Sequence, residues 1–204
     1  MIVSVFGKQF VKLQYGDLTI AVNPEADGKT KFGADIMLSS LTHPDMHGVD
    51  MVTYGDRVPF VIDGPGSYEL QEIPVVGVGS WTGYEGQKMY NTSYVTEIEG
   101  MRLIFLGHIG DMDTLSAEAR EQLGEADIVF VALGAGLPPS KVYNLAKSFS
   151  PSYVVAVGDA AQDDVVRKVF MDEANQEMTK PLDKWTVKPK DLIGKEAEII
   201  VISS

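Results

Sequence analysis

The sequence predicts an α/β protein built as two facing half-domains, and the order of its local patterns carries that prediction. Up to about Gly107 the chain consists almost entirely of short β-rich runs, whereas helical and strand patterns alternate after it. The 204 residues are 45% hydrophobic, which is enough to bury a substantial core in one compact domain. Since no linker, repeat or low-complexity tract interrupts the pattern, residues 1–204 are predicted to form a single domain.

The first half is predicted to contain strands only. Their residues are enriched in β-branched and aromatic side chains and are separated by glycine, proline, aspartate and asparagine. The apolar residues 1–6 lack a preceding positive segment and are followed by Gly7 and Lys8, so they indicate a strand and not a signal peptide. The predicted strands are 2–6, 10–14, 18–22, 36–39, 59–62, 68–79, 90–97 and 103–106.

The second half begins with a helix and a buried strand. Residues 114–123 place Leu115, Ala119 and Leu123 on one face, and Gly124 is a suitable glycine cap, so a helix is predicted there. Residues 127–133 form a continuous apolar run, which is typical of a strand covered on both faces.

Two further helices alternate with two further strands. Pro138 and Pro139 are suited to a helix start. The helix is predicted to bury one apolar face, formed by Val142, Leu145, Ala146 and Phe149. Strands are predicted at 153–157 and 198–202. Between them a helix over 162–174 is predicted to face inward with Val165, Val166, Val169 and Phe170.

Composition excludes several classes of function. With no cysteine, disulfides and thiolate metal sites are excluded, so any metal would bind His, Asp or Glu. The 17 basic and 29 acidic residues give a net charge of -12, which disfavours a nucleic-acid partner. No run approaches the roughly 18 apolar residues of a membrane span. We therefore expect a cytoplasmic protein without nucleic-acid or membrane partners.

All three histidines of the chain fall in or beside two short motifs. Residues 39–48, SSLTHPDMHG, contain His43 and His47, and residues 106–110, LGHIG, contain His108. Taken alone, a His-Pro-Asp tripeptide near a glycine usually marks a turn. Further motifs occur in a fixed order: FGKQF at 6–10, GPGSYE at 64–69, NTSYV at 91–95 and KPLDKWTVK at 180–188.

In order and spacing these segments resemble, nearly end to end, the small bacterial Zn-dependent hydrolases of the metallo-β-lactamase superfamily. That group includes the ascorbate-6-phosphate lactonases. The resemblance implies an αβ/βα four-layer sandwich, in which two mixed β-sheets are flanked by helices. It also implies a zinc-dependent hydrolase site, and a homo-oligomer because the lactonase relatives form oligomers.

The same resemblance assigns the zinc ligands residue by residue, and most of them are changed. The relatives' loop has the form His-x-His-x-Asp-His, which places His43 at its second His and Asp45 at its Asp. His108 stands where the relatives have a metal-bridging aspartate. Four positions that correspond to histidines carry other residues: Leu41, Met46, Thr82 and Gly158.

These replacements leave two hypotheses about metal binding. Zinc needs several nitrogen, oxygen or thiolate donors at about 2 Å, and an isopropyl group or thioether is a poor substitute. On the first hypothesis the centre has decayed, no metal cofactor remains, and the protein has a binding or assembly role with an unknown ligand. On the second, one zinc ion lies between His43, Asp45 and His108, with His47 as a further candidate ligand. Asp45 or His108 would then orient a metal-bound water towards a phosphate ester or lactone. We favour the first hypothesis.

Residues near the expected cleft bear on the same question. Lys8 would add a positive charge that repels a cation if its side chain points inward. The aromatic residues Trp81, Tyr84 and Tyr90 are expected near the rim, where they could stack on a ligand or pack between strands.

Overall fold

The computed structural model describes residues 1–111 and 114–204. Within these residues, thirteen strands form two mixed sheets. The first sheet contains β1 (Ile2–Phe6), β2 (Phe10–Tyr15), β3 (Leu18–Val22), β4 (Ile36–Leu38), β5 (Phe60–Ile62) and β12 (Trp185–Thr186). The second contains β6 (Gly66–Leu70), β7 (Ile73–Tyr84), β8 (Gln87–Ile98), β9 (Met101–Phe105), β10 (Ile128–Ala132), β11 (Tyr153–Val157) and β13 (Glu198–Val201).

The first sheet has the strand order β12-β1-β2-β3-β4-β5. β1, β2 and β3 are antiparallel neighbours, and β4 and β5 continue the sheet in parallel. β12, which the sequence patterns did not predict as a strand, pairs antiparallel with β1 through Trp185 and Val3. The segment near the end of the chain therefore completes the sheet that the first residues begin.

The second sheet has the strand order β13-β11-β10-β9-β8-β7-β6. Residues 68–79, predicted as one strand, instead belong to β6 and β7, which pair as an antiparallel hairpin. Gln71 and Glu72 form the turn with φ of 51° and 65°, values that residues other than glycine rarely adopt. The prediction was wrong here because neither residue carries the usual glycine or asparagine signal of such a turn.

The core lies between the sheets and under the helices. Val3 and Leu13 of the first sheet share an apolar cluster with Leu103 and Phe130 of the second. A second cluster packs the opposite face of the second sheet against helices. The outer face of the first sheet is covered by a smaller cluster that includes Val52 of a 3-10 helix, Val49–Val52. The predicted arrangement of two mixed sheets flanked by helices is confirmed.

The three predicted helices are present with shifted ends, and a short helix that was not predicted, Asp159–Gln162, precedes the last of them. In the described residues the α-helices are α1 (Ala117–Leu123), α2 (Pro139–Lys147), α3 (Asp159–Gln162) and α4 (Asp164–Glu173), and a further 3-10 helix covers Pro189–Leu192. The Ser116 side chain caps α1 by accepting the Ala119 N–H, and α1 ends at Gly124 as predicted. In α4 the Asp163 carboxylate accepts two backbone N–H groups, which separates α4 from α3.

The inward face of α4 differs from the prediction. Val165 and Val169 are 72% and 44% exposed, whereas Phe170 is fully buried. Arg167 is buried instead, and its guanidinium donates to the carbonyls of Ala161 and Gln162. A periodicity argument cannot anticipate this orientation, because it scores arginine as polar although its stem packs well against apolar atoms.

No helix in the described part of the chain is long and apolar enough to cross a membrane.

Candidate functional site

The loop after β4 is held by its own hydrogen bonds and by apolar burial. The Ser39 hydroxyl hydrogen-bonds the carbonyls of Leu41 and Met46, each at 2.8 Å. The side chains of Leu41 and Met46 are each only 1% exposed. His47 Nδ1 lies 3.0 Å from Ser39 Oγ, so this histidine also belongs to the loop's internal bonding. The buried side chains of Leu41 and Met46 therefore anchor the loop.

Asp45, the loop's carboxylate, is bound by two groups from outside the loop. Lys8, from the turn between β1 and β2, places its Nζ 2.8 Å from Asp45 Oδ2. The Tyr84 hydroxyl, at the end of β7, donates a hydrogen bond to the same oxygen. Burial opposes the ionisation of Asp45, yet the bonds from Lys8 and Tyr84 outweigh it and lower the pKa of Asp45. Asp45 is therefore ionised and paired at neutral pH.

The pKa values of both partners of Asp45 are raised, so both partners keep their protons. The hydrogen bond to Asp45 is the main reason why the pKa of Lys8 is raised, so its ammonium group stays charged. Burial, followed by the bond to Asp45, raises the pKa of Tyr84, so its hydroxyl keeps its proton. Lys8 and Tyr84 thus act as stable donors to one carboxylate oxygen.

The Tyr84 ring contacts two of the predicted ligands. Its centroid lies 4.9 Å from that of His43 and 4.8 Å from that of His108, both in edge-to-face geometry. His43 Nδ1 is 3.8 Å from Asp45 Oδ2, and its Nε2 is 3.7 Å from Glu85 Oε2. The structure therefore gathers His43, Asp45 and His108 around Tyr84.

A hydrogen bond to its backbone N–H holds His108 in place, and the residue is only 8% exposed. The buried Asn91 side chain accepts the His108 backbone N–H at 2.8 Å and donates to the Leu106 carbonyl at 3.1 Å. Burial lowers the pKa of His108, and a hydrogen bond with the Gly83 backbone opposes that shift only in part. Its Nδ1 is buried without a hydrogen-bond partner in the described part of the chain. The imidazole is accordingly neutral at pH 7.

Thr82 and Gly158, which the resemblance aligns with ligand histidines, both serve the backbone. Thr82 is 5% exposed, and its hydroxyl accepts the Gly110 N–H at 3.1 Å. Gly158 precedes α3 with φ of 101°, and a Cβ atom there would lie 2.7 Å from the Leu133 carbonyl oxygen. No side chain larger than hydrogen fits at Gly158 without a shift of the backbone.

Three contributors were underestimated or missed by the sequence reasoning. Lys8 was expected to repel a cation but not to pair with Asp45, and Tyr84 was considered only as a rim aromatic. Asn91 was part of a recognised motif, but its role in holding His108 was not predicted. The sequence contained a signal only for Asn91, which lies in a recognised motif. The contacts of Lys8 and Tyr84 with Asp45 join residues that are far apart in sequence, and such contacts cannot be inferred from sequence spacing.

Among residues 1–111 and 114–204, no three His, Asp or Glu side chains converge as a metal-binding group.

Two open cavities flank Tyr84 and His108, and both of these residues line each of them. One, of about 290 Å³, is further lined by Lys8, Gly134, Gly158 and Asp159. The other, of about 420 Å³, is further lined by Gly83, Glu85, Asp111 and Gly136. We refer to the two together as the central cleft. Their volumes are in the range of small-molecule sites.

A family model for the beta-lactamase superfamily domain matches residues 3–158, which is more than half of the chain. The chain belongs to the metallo-β-lactamase superfamily. The matched region contains the loop after β4, the β7–β8 hairpin and the segment that follows β9, so it includes Lys8, His43, Asp45, Tyr84 and His108. The chain matches no curated protein sequence.

Solved structures of other proteins share the fold along nearly the whole chain. A protein assigned to the Zn-dependent hydrolases, from Thermotoga maritima, is 20% identical with a TM-score of 0.74, covering 98% of this chain and 97% of that one. A protein assigned as a metal-dependent hydrolase, from Parabacteroides distasonis, is 16% identical with a TM-score of 0.67, covering 98% and 91%. An isothiocyanate hydrolase from Delia radicum gut bacteria is 9% identical with a TM-score of 0.68, covering 92% and 100%. At these identities the likeness establishes the fold.

Proposed function

We propose that this chain has a degenerate zinc site and acts as a binding or assembly protein, without hydrolysing a substrate by the superfamily's mechanism. One observation carries the proposal: the Lys8 ammonium and the Tyr84 hydroxyl both bind Asp45 Oδ2. In a metal centre this oxygen would face a cation. In this chain the Lys8 ammonium and the Tyr84 hydroxyl contact that oxygen instead.

The donor set supports the same conclusion. A dinuclear centre needs a full set of ligands around two ions about 3.5 to 4 Å apart. Leu41 and Met46 are buried apolar groups, and Gly158 cannot be replaced by a ligand without backbone movement. The Tyr84 ring lies against both His43 and His108. The residues present therefore do not fit the zinc pair that the superfamily implies.

A mononuclear metal hydrolase is the second candidate, and His108 favours it. Its imidazole is neutral and its Nδ1 has no partner among the described residues, as a nitrogen free to bind a metal would. With His43 and Asp45 it would supply three ligands. This candidate requires Lys8 and Tyr84 to leave Asp45, and for that reason we rank it second.

The finer assignments belong to the same proposal. The sequence resemblance supports membership of the group that includes the ascorbate-6-phosphate lactonases, and the oligomers of that group support a homo-oligomer. A chain with no cysteine suits the reducing cytoplasm, where we place it. Its charge of -12 argues against a nucleic-acid partner.

Metal content tests the proposal. The chain is purified without chelator or a metal-affinity tag, and zinc is measured by elemental analysis beside turnover of lactone, phosphodiester and β-lactam substrates. We expect well under one zinc per chain, a thermal midpoint unchanged by chelator, and background turnover. Near-stoichiometric zinc that survives dialysis would contradict the proposal, as would turnover that His43→Ala and Asp45→Ala abolish while the fold stays intact.

A further inference from the structure

We propose that strand β6 is a dimerisation edge, which pairs antiparallel with β6 of a second copy of this chain so that the second sheet continues across both subunits. The inference rests on the proposed function, because it gives the assembly role a partner and a surface. The backbone geometry of β6 and its contrast with the other sheet edges support the proposal.

The open side of β6 presents unpaired backbone groups to solvent. In the β6–β7 hairpin, Leu70 lies opposite Ile73 and Glu69 lies opposite Pro74. Because proline has no N–H, the Glu69–Pro74 pair cannot exchange hydrogen bonds. Bonded and non-bonded pairs alternate along an antiparallel ladder, so the backbone N–H and C=O groups of Ser67 and Glu69 point away from β7. Both residues are exposed, and no other segment of the described chain forms a backbone hydrogen bond with them.

The other strands that end a sheet are shorter or blocked. At β13 the Gln176 side-chain oxygen accepts the Ile199 N–H at 2.8 Å, and Leu182 forms a bridge beside the end of the strand. β12 is two residues long and lies between Lys184 and Lys188, and β5 is three residues long. Lysines, short strands and covering segments prevent edge-to-edge pairing in many proteins. β6 is five residues long, and its sequence, GSYEL, contains no lysine, arginine or proline.

A second copy of β6 fits this edge in one register. With Tyr68 opposite the partner's Tyr68, each Ser67 lies opposite the partner's Glu69, and each of these pairs exchanges two backbone hydrogen bonds. A register with Glu69 opposite the partner's Glu69 would bring like charges together. A register with Ser67 opposite the partner's Ser67 would place Glu69 opposite the partner's Pro65, which has no N–H to donate. The edge is therefore complementary to itself, as a two-fold interface requires.

Exposed apolar side chains lie beside this edge. Tyr54, Val58 and Phe60, in and before β5, are each more than half exposed. β5 ends the first sheet on the side where β6 ends the second, because residues 63–65 join the two strands and the Tyr68 hydroxyl donates to the Gly64 carbonyl at 3.2 Å. Pairing of two β6 strands would bring the β5 edges of both subunits together. Burial of these side chains would then add to the hydrogen bonds of the ladder.

Sedimentation velocity of the full chain over a range of concentrations tests the proposal. We expect a reversible equilibrium between monomer and dimer. Added salt should shift it towards the dimer, because salt screens the repulsion between two copies that each carry a net charge of -12.

Amide hydrogen exchange, followed by nuclear magnetic resonance in the same samples, locates the interface. The outward amides of Ser67 and Glu69 should exchange quickly in dilute samples and slowly once the dimer forms. The Tyr68 amide, which faces β7, should be protected at every concentration.

Variants at Ser67 test the register. Ser67→Glu places a carboxylate opposite the partner's Glu69 and should raise the dissociation constant of the dimer about two- to thirtyfold, the effect of two like-charge cross-strand pairs. Ser67→Lys should lower the constant by a similar factor, and adding Glu69→Lys to Ser67→Glu should restore the parent affinity. Gln14→Glu adds the same charge at an exposed position of β2, which is paired on both sides, and should leave the constant unchanged.

Three results would overturn the inference: a chain that stays monomeric at its highest soluble concentration, a dimer in which the Ser67 and Glu69 amides exchange as fast as in the monomer, or a dimer that Ser67→Glu weakens no more than Gln14→Glu does. Zinc content and turnover, measured on the same sample, decide the loss of hydrolysis separately. A zinc-free monomer without turnover overturns the dimerisation edge alone.

Discussion

At the scale of single residues, the polar contacts of the site converge on one oxygen atom. Asp45 Oδ2 accepts from Lys8 and Tyr84, and His43 lies beside it at 3.8 Å. Each donor comes from a different part of the chain, the β1–β2 turn and the end of β7, so the carboxylate links three segments. Asp45 therefore has a structural role that an exposed loop aspartate would lack.

Replacing Lys8 by methionine should weaken the fold in a pH-dependent way. The lowered pKa of Asp45 contributes stability that is present above its ordinary value of 3.8 and is lost as pH falls through the folded-state pKa. The raised pKa of Lys8 contributes stability that is present below 10.5 and is lost as pH rises through its folded-state pKa. The pair therefore stabilises the protein between these limits.

Urea denaturation of Lys8→Met and the parent measures this contribution. Since Lys8 is 45% exposed, we expect a loss of up to about 1 kcal/mol at pH 7. The difference should shrink near pH 3 as Asp45 takes up a proton. Lys168→Met, which removes an exposed charge from α4, is the control and should show no such pH dependence. A constant difference at both pH values would mean that Lys8 acts through packing and not through its charge.

At the scale of secondary-structure elements, the sequence patterns correctly predicted the features that neighbouring residues in the chain determine. Gly124 ends α1 as expected, and the stripe that begins at Val142 in α2 is buried. Partners distant in sequence decided the rest. β12 exists because Trp185 pairs with Val3, and one predicted strand became a hairpin because tertiary pairing holds Gln71 and Glu72 at positive φ. In the site, motif positions located His43 and Asp45, but no spacing rule could bring Tyr84 between His43 and His108.

Helix α4 offers a test of the corrected orientation. The sequence pattern placed Val169 and Phe170 inward together, whereas only Phe170 is buried, against Tyr143 at 5.9 Å between ring centroids. Phe170→Ala should therefore lower the free energy of unfolding by about 3–5 kcal/mol. Val169→Ala should change it by no more than about 0.5 kcal/mol. Urea denaturation of both variants distinguishes the two orientations, since comparable losses would support the sequence-based face.

At the scale of the whole molecule, the fold and the metal chemistry of this superfamily are separable. The apolar cluster between the sheets is built from strand residues such as Leu13, Leu103 and Phe130, none of which belongs to the loop after β4. Ligands can therefore be lost at several loops while the sandwich persists. The likeness to hydrolase structures over nearly the full chain, at 20% identity or less, is consistent with that independence.

If the old ligand positions are correctly assigned, zinc affinity can be restored, but only after the internal cation and donor are removed. A four-residue set returns the ligand types at positions whose backbone allows them, and it leaves Gly158 unchanged because of its φ of 101°. The set is Leu41→His, Met46→His, Thr82→His and His108→Asp. A second protein adds Lys8→Gln and Tyr84→Ala to this set, and a third carries only those two changes.

Calorimetric titration with zinc, on samples shown to be folded by circular dichroism, compares the three proteins. We expect measurable zinc affinity only when the set is combined with Lys8→Gln and Tyr84→Ala, because a metal site needs donors held at the right distance and a position free of competing charge. Burying imidazoles in place of Leu41 and Met46 should cost a few kcal/mol of apo stability, roughly the cost of burying a polar group that lacks a partner. Equal zinc binding by the four-residue set alone would show that Lys8 and Tyr84 do not block the site. If all three proteins fold and none binds zinc, these positions were not the ligands of a vanished centre.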